Sequence, residues 1–320
     1  VLSPGSRNAP LLIALNEAAE RGLVNLHIRI DERTAAFFAL GIIKASKNPV
    51  ALVCTSGTAV ANYYPAFLEA FHTALPLIVL SADRPERLRQ TGANQTTNQI
   101  NLFNCGYFYR NDSYDLHNDG PTHINLEFDE PLLSNDHSDW LAALNSKSIA
   151  SKTFEPEVFE VPTGRGLVIV GHDGADVSDF IEQLEVPVIA ENPLNYPKAI
   201  AHAPLFSSQI EIDWVVVVGR TTLSRSTNAL IAKAKFQYVI DERAKHIDPK
   251  RTATKIFYKV PSISGTANKW SLTSELIKID GWSEPAVAQC IAANLPSGST
   301  LYVSSSRPIR DLEAFAAPRS

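Results

Sequence analysis

The chain has 320 residues, a net charge of −5, 45% hydrophobic and 20% charged residues, which fits a globular protein of about two domains and gives no basic footprint for nucleic acid. No apolar run approaches the ~20 residues of a membrane-crossing helix, and no signal peptide or lipidation motif is present. Cys54, Cys105 and Cys290 are far apart and lack metal-ligand spacing, so we expect reduced thiols in a cytoplasmic protein.

The chain opens on Val1-Leu2-Ser3-Pro4, which reads as the end of a strand, and it holds no methionine. Residues 23–30 read as a strand. Asp31 is then a suitable N-cap for a helix whose Ala35, Ala36, Leu40 and Ile43 share one face. Val50–Cys54 is a continuous β-type run, and Thr55-Ser56-Gly57 turns into a helix through Ala61 and Ala66. Residues 75–80 and 123–128 complete the strands of this first block. From 134 to 164 the pattern dissolves into Ser, Asn, Lys, Glu and Pro, the composition of a linker.

A second block has predicted strands at 166–170, 186–190, 214–218 and 237–240 and predicted helices at 177–184 and 227–234. A second linker covers 261–268. A helix at 284–294, a strand at 300–303 and a segment from Pro308 follow. Strands alternating with helices predict an α/β fold of two successive domains, each with a mostly parallel sheet flanked by helices. The expected divisions are a first domain at 1–133, a linker at 134–163, a middle domain at 164–262, and the start of a truncated third domain at 268–320.

In parallel α/β sheets ligands bind beyond the carboxyl ends of the strands. The unusual polar clusters follow predicted strands: Pro4-Gly5-Ser6-Arg7, Asp31-Glu32-Arg33, Thr55-Ser56-Gly57-Thr58, Asp83-Arg84-Pro85 and Gly92-Ala93-Asn94-Gln95. Each alone has an ordinary reading as a turn, a helix start or a surface loop. Five in one small domain predict a site on one rim of the sheet.

These clusters carry a family resemblance. Residues 3–11, Asp31-Glu32-Arg33 with Phe38-Ala39-Leu40-Gly41, residues 55–62 and Ala82-Asp83-Arg84-Pro85 are similar to the 2-succinyl-5-enolpyruvyl-6-hydroxy-3-cyclohexene-1-carboxylate synthases, a thiamine-diphosphate enzyme family. So are residues 92–96, His123-Ile124-Asn125, Glu130-Pro131-Leu132, Ala199-Ile200-Ala201-His202, residues 219–225 and residues 308–312. The resemblance implies the thiamine-diphosphate enzyme fold, with the first domain binding the aminopyrimidine. It implies a transferase of menaquinone biosynthesis that decarboxylates 2-oxoglutarate and adds the succinyl semialdehyde carbanion to isochorismate. It also implies thiamine diphosphate with Mg²⁺ or Mn²⁺ as cofactors, and a homodimer or homotetramer.

Glu32 then corresponds to the glutamate that faces the aminopyrimidine, with Ser56 and Gly57 as cofactor contacts. The substrates carry several carboxylates, which suit the planar guanidinium fork of arginine. Arg7, Arg84, Arg225 and Arg310 fall on family motif positions, with Ser6, Asn94, Gln95 and Ser306 as polar partners. Arg225 and Arg310 read equally well as members of surface ion pairs.

The sequence departs from the family in three places. No Gly-Asp-Gly with a following Asn marks a diphosphate and metal site, so no metal ligand is assigned and the metal site is expected in the missing third domain. The stretch between Phe103 and Gly120 is short for the family. Ser304-Ser305-Ser306-Arg307-Pro308 stands where the family more often reads Asn-Ser-Met-Pro. The chain is accordingly expected to be an incomplete portion that neither grips the cofactor tightly nor turns over substrate. An acetolactate-synthase-like enzyme and a non-catalytic regulatory or assembly module of two domains are the other readings.

Overall fold

The structure is a computed structural model and describes residues 1–135, 138–144, 155, 157–243 and 248–317. The chain divides into two compact units, Val1–Lys152 and Thr153–Ser320, the division falling inside the polar stretch 134–164.

The first unit holds α1 (Ala9–Glu20), α2 (Glu32–Ser46), β1 (Val50–Cys54), α3 (Thr58–Ala61), α4 (Tyr64–Thr73), β2 (Leu77–Asp83), β3 (Tyr107–Arg110) and β4 (Thr122–Glu127). The four strands lie in the order β1-β2-β4-β3, every pair parallel. Leu2 bridges both Ile28 and Val53, so the opening residues extend this sheet beside β1. The strand expected at 23–30 is reduced to that one bridge at Ile28, with Leu23 57% and Ile30 86% exposed. Leu23, Val24, Ile28 and Ile30 stay exposed, so the segment's apolar side chains have no core to pack against and little drives regular pairing.

The helix expected through Ala61 and Ala66 is two helices. Pro65 sits in the first turn of α4, where a missing N–H costs nothing, but as a continuation of α3 its ring would meet the carbonyl of Ala61. Leu52, Cys54, Leu77 and Val79 pack one face of the sheet against Ala35, Ala36, Ala39, Leu40 and Ile43 of α2 and Ala66, Phe67 and Ala70 of α4. On the other face Ala51, Ile78, Leu80, Ile124 and Leu126 floor an open cavity of about 680 Å³, walled by Tyr114, Leu116 and Phe128. The crossover 111–121 from β3 to β4, expected to be short, contains no helix.

The second unit holds β5 (Val158–Glu160), β6 (Gly166–Val170), α5 (Ser178–Leu184), β7 (Val188–Ala190), α6 (Ala203–Phe206), β8 (Trp214–Val218), α7 (Arg225–Lys233), β9 (Phe236–Ile240), β10 (Lys255–Phe257), β11 (Ser262–Ser264), α8 (Glu284–Asn294) and α9 (Arg307–Phe315). Five strands form a parallel sheet in the order β10-β9-β8-β6-β7. The fully buried runs of β6 and β8 are what a two-sided parallel sheet requires.

Two expected linkers contain strands instead: β5 and β11 pair in parallel, Phe159 opposite Ile263. Phe159 anchors them, 1% exposed, against Phe180, Trp214, Tyr238 and Phe257. Residues 300–303 form no strand, and Tyr302 is 92% exposed. Residues from 268 on, expected to open a third domain, group with the second unit: Trp270 Nε1 donates to Gly166 O at 2.7 Å, and the ring of His202 hydrogen-bonds Ala314 O at 2.8 Å.

Candidate functional site

The rim at the carboxyl ends of β1, β2 and β4 gathers the polar clusters of the first unit. At β1 the chain leaves the sheet through Thr55-Ser56-Gly57. Gly57 has φ 83° and ψ −134°, a conformation open to glycine and strained for other residues. A Cβ there would also lie 2.9 Å from Gln95 Cγ, and one on Gly5 would lie 2.6 Å from Thr55 Cβ. Both glycines let backbone come close, and the strand-to-helix turn is fixed by what surrounds it.

Ser56, Arg84 and Gln95 meet directly. Arg84 Nη1 donates to Ser56 Oγ and to the Gln95 carbonyl, each at 2.9 Å. Ser56 Oγ donates to the same carbonyl at 2.9 Å, and Gln95 Nε2 donates to Ser56 O at 3.0 Å. Gln95 has φ 53°, so its main chain turns back on the rim. Asn94 beside it is exposed; its carbonyl accepts from Thr96 Oγ1 at 3.2 Å.

Arg7 comes from the turn before α1 and is 9% exposed. Its Nη1 donates to Phe128 O at 3.1 Å and its Nη2 reaches Glu130 Oε1 at 3.4 Å, while Nε is buried without a hydrogen-bond partner. Arg7 lies close enough to Arg84 to act on it: burial first, and then the Arg7 charge, lower the pKa of Arg84 against the pull of Asp83 and Glu130. Two guanidiniums held together at some mutual cost form a place where an anion is welcome. Ser6 is exposed at the same turn, and its carbonyl accepts from Ala9 N.

Glu32 is the first residue of α2. Asp31 caps that helix, its Oδ1 accepting from Thr34 N at 2.8 Å, and this bond lowers the Asp31 pKa. The cap points Asp31 at the helix start and leaves Glu32 to face elsewhere. Among the described residues the Glu32 carboxylate has no hydrogen-bond or ion-pair partner, yet its charge is felt by Cys54 and Tyr63. Burial raises both of those groups most, and Glu32 adds to it. Glu32 is therefore a half-buried carboxylate near the end of β1, uncommitted to any partner among the described residues.

A buried chain of amides lies beneath the rim. Gln99, 0% exposed, accepts the Gly57 N–H at 2.8 Å and donates to Asn125 Oδ1 at 2.8 Å and Ala82 O at 3.2 Å. Asn125 donates to Asp83 Oδ2 at 2.9 Å, and Asp83 Oδ1 accepts the Arg84 N–H at 2.7 Å. Sequence reasoning missed Gln99. It sits in a polar run where nothing separates an amide that folds inward from one that faces water.

The remaining candidates lie in the second unit. Arg225 is the first residue of α7, after Ser224, whose Oγ accepts from Thr227 N. Arg310 is on α9, and Ser306 caps that helix with φ 79°. All three are exposed, and neither arginine has an ion-pair partner among the described residues. The two helices are tied by Thr227 Oγ1 donating to Glu313 Oε1 at 3.3 Å. Burial, then the charge of Glu191, push Glu313 up to about 7.

Residues 1–102 match the family described as thiamine pyrophosphate enzyme, N-terminal TPP binding domain. The chain is 33% identical to the 2-succinyl-5-enolpyruvyl-6-hydroxy-3-cyclohexene-1-carboxylate synthase of Saccharopolyspora erythraea over 376 positions, covering 100% of the chain and 68% of the relative. It is 34% identical to the synthase of the same name from Thermobifida fusca, again over 100% of the chain and 68% of the relative. With that of a Nocardioides species the identity is 36%, over 98% and 64%. The aligned span of 376 positions exceeds the chain's 320 residues, so the match includes positions that this chain lacks. Among solved structures, benzoylformate decarboxylase from Polynucleobacter necessarius superposes with a TM-score of 0.58, covering 99% of this chain and 69% of that one. At 15% identity that is a likeness of fold alone.

Proposed function

Because the chain belongs to the family of 2-succinyl-5-enolpyruvyl-6-hydroxy-3-cyclohexene-1-carboxylate synthases, we propose that the rim of its first sheet receives the aminopyrimidine of thiamine diphosphate at Glu32, Ser56 and Gly57 and substrate carboxylates at Arg7 and Arg84. The observation that carries this reading is the Glu32 carboxylate near the end of β1, without a hydrogen-bond or ion-pair partner among the described residues, in the same unit as the Gly57 turn and the neighbouring Arg7 and Arg84. The donor set suits the group: a carboxylate for a ring nitrogen, with the Ser56 hydroxyl and the main chain after β1 as polar neighbours.

When bound, thiamine diphosphate supplies the electron sink for decarboxylation of a 2-oxo acid. The protein's own part is orientation and proton handling. Glu32 takes up and returns a proton at a carboxylate oxygen. Arg7 and Arg84 hold a carboxylate of 2-oxoglutarate or isochorismate, with Ser6, Asn94 and Gln95 as polar neighbours. Arg225 and Arg310, with Ser306, are proposed as further carboxylate contacts. Among the described residues no group of three or more His, Cys, Asp or Glu side chains could hold a metal ion, and no step above uses one. We also propose Mg²⁺ or Mn²⁺ as companion of the diphosphate, and a homo-oligomer. No helix among the described residues is long and apolar enough to cross a membrane.

Calorimetry with thiamine diphosphate and magnesium tests the reading. Glu32→Gln keeps the side chain's shape and cannot exchange the proton, so it is expected to fold as the parent does and to lose at least tenfold in affinity. Equal affinity of the two proteins would remove Glu32 from the site.

A further inference from the structure

We infer that Gln99, acting with Asn125 and Asp83, is a positioning residue that sets Gly57 and Arg84 in place together. The two ends of the proposed site, pyrimidine and carboxylate, are then held by one buried line of hydrogen bonds. The inference rests on the proposed function for what those ends bind, but its geometry stands by itself.

The direction of the line is forced. Asp83 is 0% exposed, pairs with Arg89 at 3.3 Å, and accepts at both oxygens, from Asn125 Nδ2 and from Arg84 N. Asn125 must therefore turn its nitrogen toward Asp83 and its oxygen away. That oxygen accepts from Gln99 Nε2 at 2.8 Å and from Ser81 Oγ at 2.8 Å. Gln99 must then present its nitrogen to Asn125 and Ala82 O, which leaves Oε1 for the Gly57 N–H. A carboxylate at the end of β2 thus dictates, through two amides, which atom meets the main chain after β1.

Each member is needed. Gly57 N–H is buried with Gln99 Oε1 as its acceptor, and an unpaired buried donor is costly. Gly57 also holds a conformation, φ 83°, that the turn would leave if that bond were lost. At the other end the Asp83 bond to the Arg84 N–H fixes the start of the segment whose side chain crosses to Ser56. His123 and Ser81 close the network from beneath, Ser81 Oγ meeting His123 Nε2 at 2.8 Å.

Hydrogen exchange by nuclear magnetic resonance on the unliganded 320-residue chain tests this without any activity. Gln99→Leu keeps most of the volume and removes the bonds to the Gly57 N–H, to Asn125 and to Ala82 O. We expect the Gly57 amide to exchange at least tenfold faster, the Arg84 Nε signal to shift, and the strand amides of β1 and β2 to keep their rates. Asn125→Leu, which does not touch Gly57, is expected to give the same pattern and serves if the first variant does not fold. An unchanged Gly57 amide in either folded variant, or equal acceleration throughout β1 and β2, would overturn the inference. Signals of Glu32 and Gly57 that stay unmoved on titration with thiamine diphosphate would count against the proposed function only, since the exchange measurement uses no ligand.

Discussion

Glu32 and Asp31 are adjacent acids with separate duties, and the helix start explains why. Asp31 spends its carboxylate on Thr34 N, as an N-cap does, so Glu32 is left over at the end of β1. This much was legible, because capping acids and a strand end leave a sequence signal. So were Ser56, Gly57, Arg84 and Gln95, which stand in short contiguous motifs. Gln99 was not, since burial of a single amide is decided by the tertiary fold. His123 is another such case. Burial drives its pKa down from 6.5 to about 3. The unfolded chain takes up that proton near pH 6.5, and the folded chain does not until about 3, so falling pH favours unfolding. Between pH 7 and pH 5 the loss from this group is about 2 kcal/mol. Urea denaturation at both pH values should find that loss smaller in His123→Gln; an identical pH dependence would mean that His123 is protonated when folded.

At the scale of elements, sequence patterns located what is long and continuous. β1, β6 and β8 fall on their expected residues because an apolar run fixes each, and α8 on its own because Ser283 caps it and Pro285 sits in its first turn. Short elements escaped. β5 and β11 have three residues each and only Phe159 buried among them, too little for any periodicity to register. Their main hold on the unit is that one ring, packed on four other aromatics, with Ile263 of β11 packed against the same core. Phe159→Ala is therefore expected to destabilise the second unit by about 3–5 kcal/mol, read by denaturant melts followed by circular dichroism. A change under 1 kcal/mol would mean that β5 contributes no packing. α9 carries a second test. Folding raises Glu313 from 4.5 to about 7, so the buried carboxyl stabilises the fold less and less as pH climbs from 4.5 through 7. Glu313→Gln should be more stable than the parent at pH 8 and lose that advantage near pH 5; a variant less stable at pH 8 would contradict the buried, proton-holding carboxyl.

Taken as a molecule, the chain joins two parallel-sheet units and concentrates its polar chemistry at strand ends, as open α/β sheets do. The first unit offers the Glu32 carboxylate, without a hydrogen-bond or ion-pair partner among the described residues, the Gly57 turn and the neighbouring Arg7 and Arg84 guanidiniums, over a buried amide line that joins Gly57 to Arg84. The second offers two exposed arginines, Arg225 and Arg310, on helices tied through Glu313. Fold class was legible from strand and helix alternation, while the specific chemistry became readable only when separate motifs were taken together. The central claim is that the first-sheet rim is where cofactor and substrate meet this chain. Residue-resolved nuclear magnetic resonance during titration with thiamine diphosphate and magnesium, and then with 2-oxoglutarate, tests it most directly. The account predicts that the cofactor moves the signals of Glu32, Ser56 and Gly57 and that 2-oxoglutarate moves the side-chain signals of Arg7 and Arg84. Changes confined to the cavity floored by β1, β2 and β4 or to the second unit, with Glu32 and Gly57 unmoved, would contradict it.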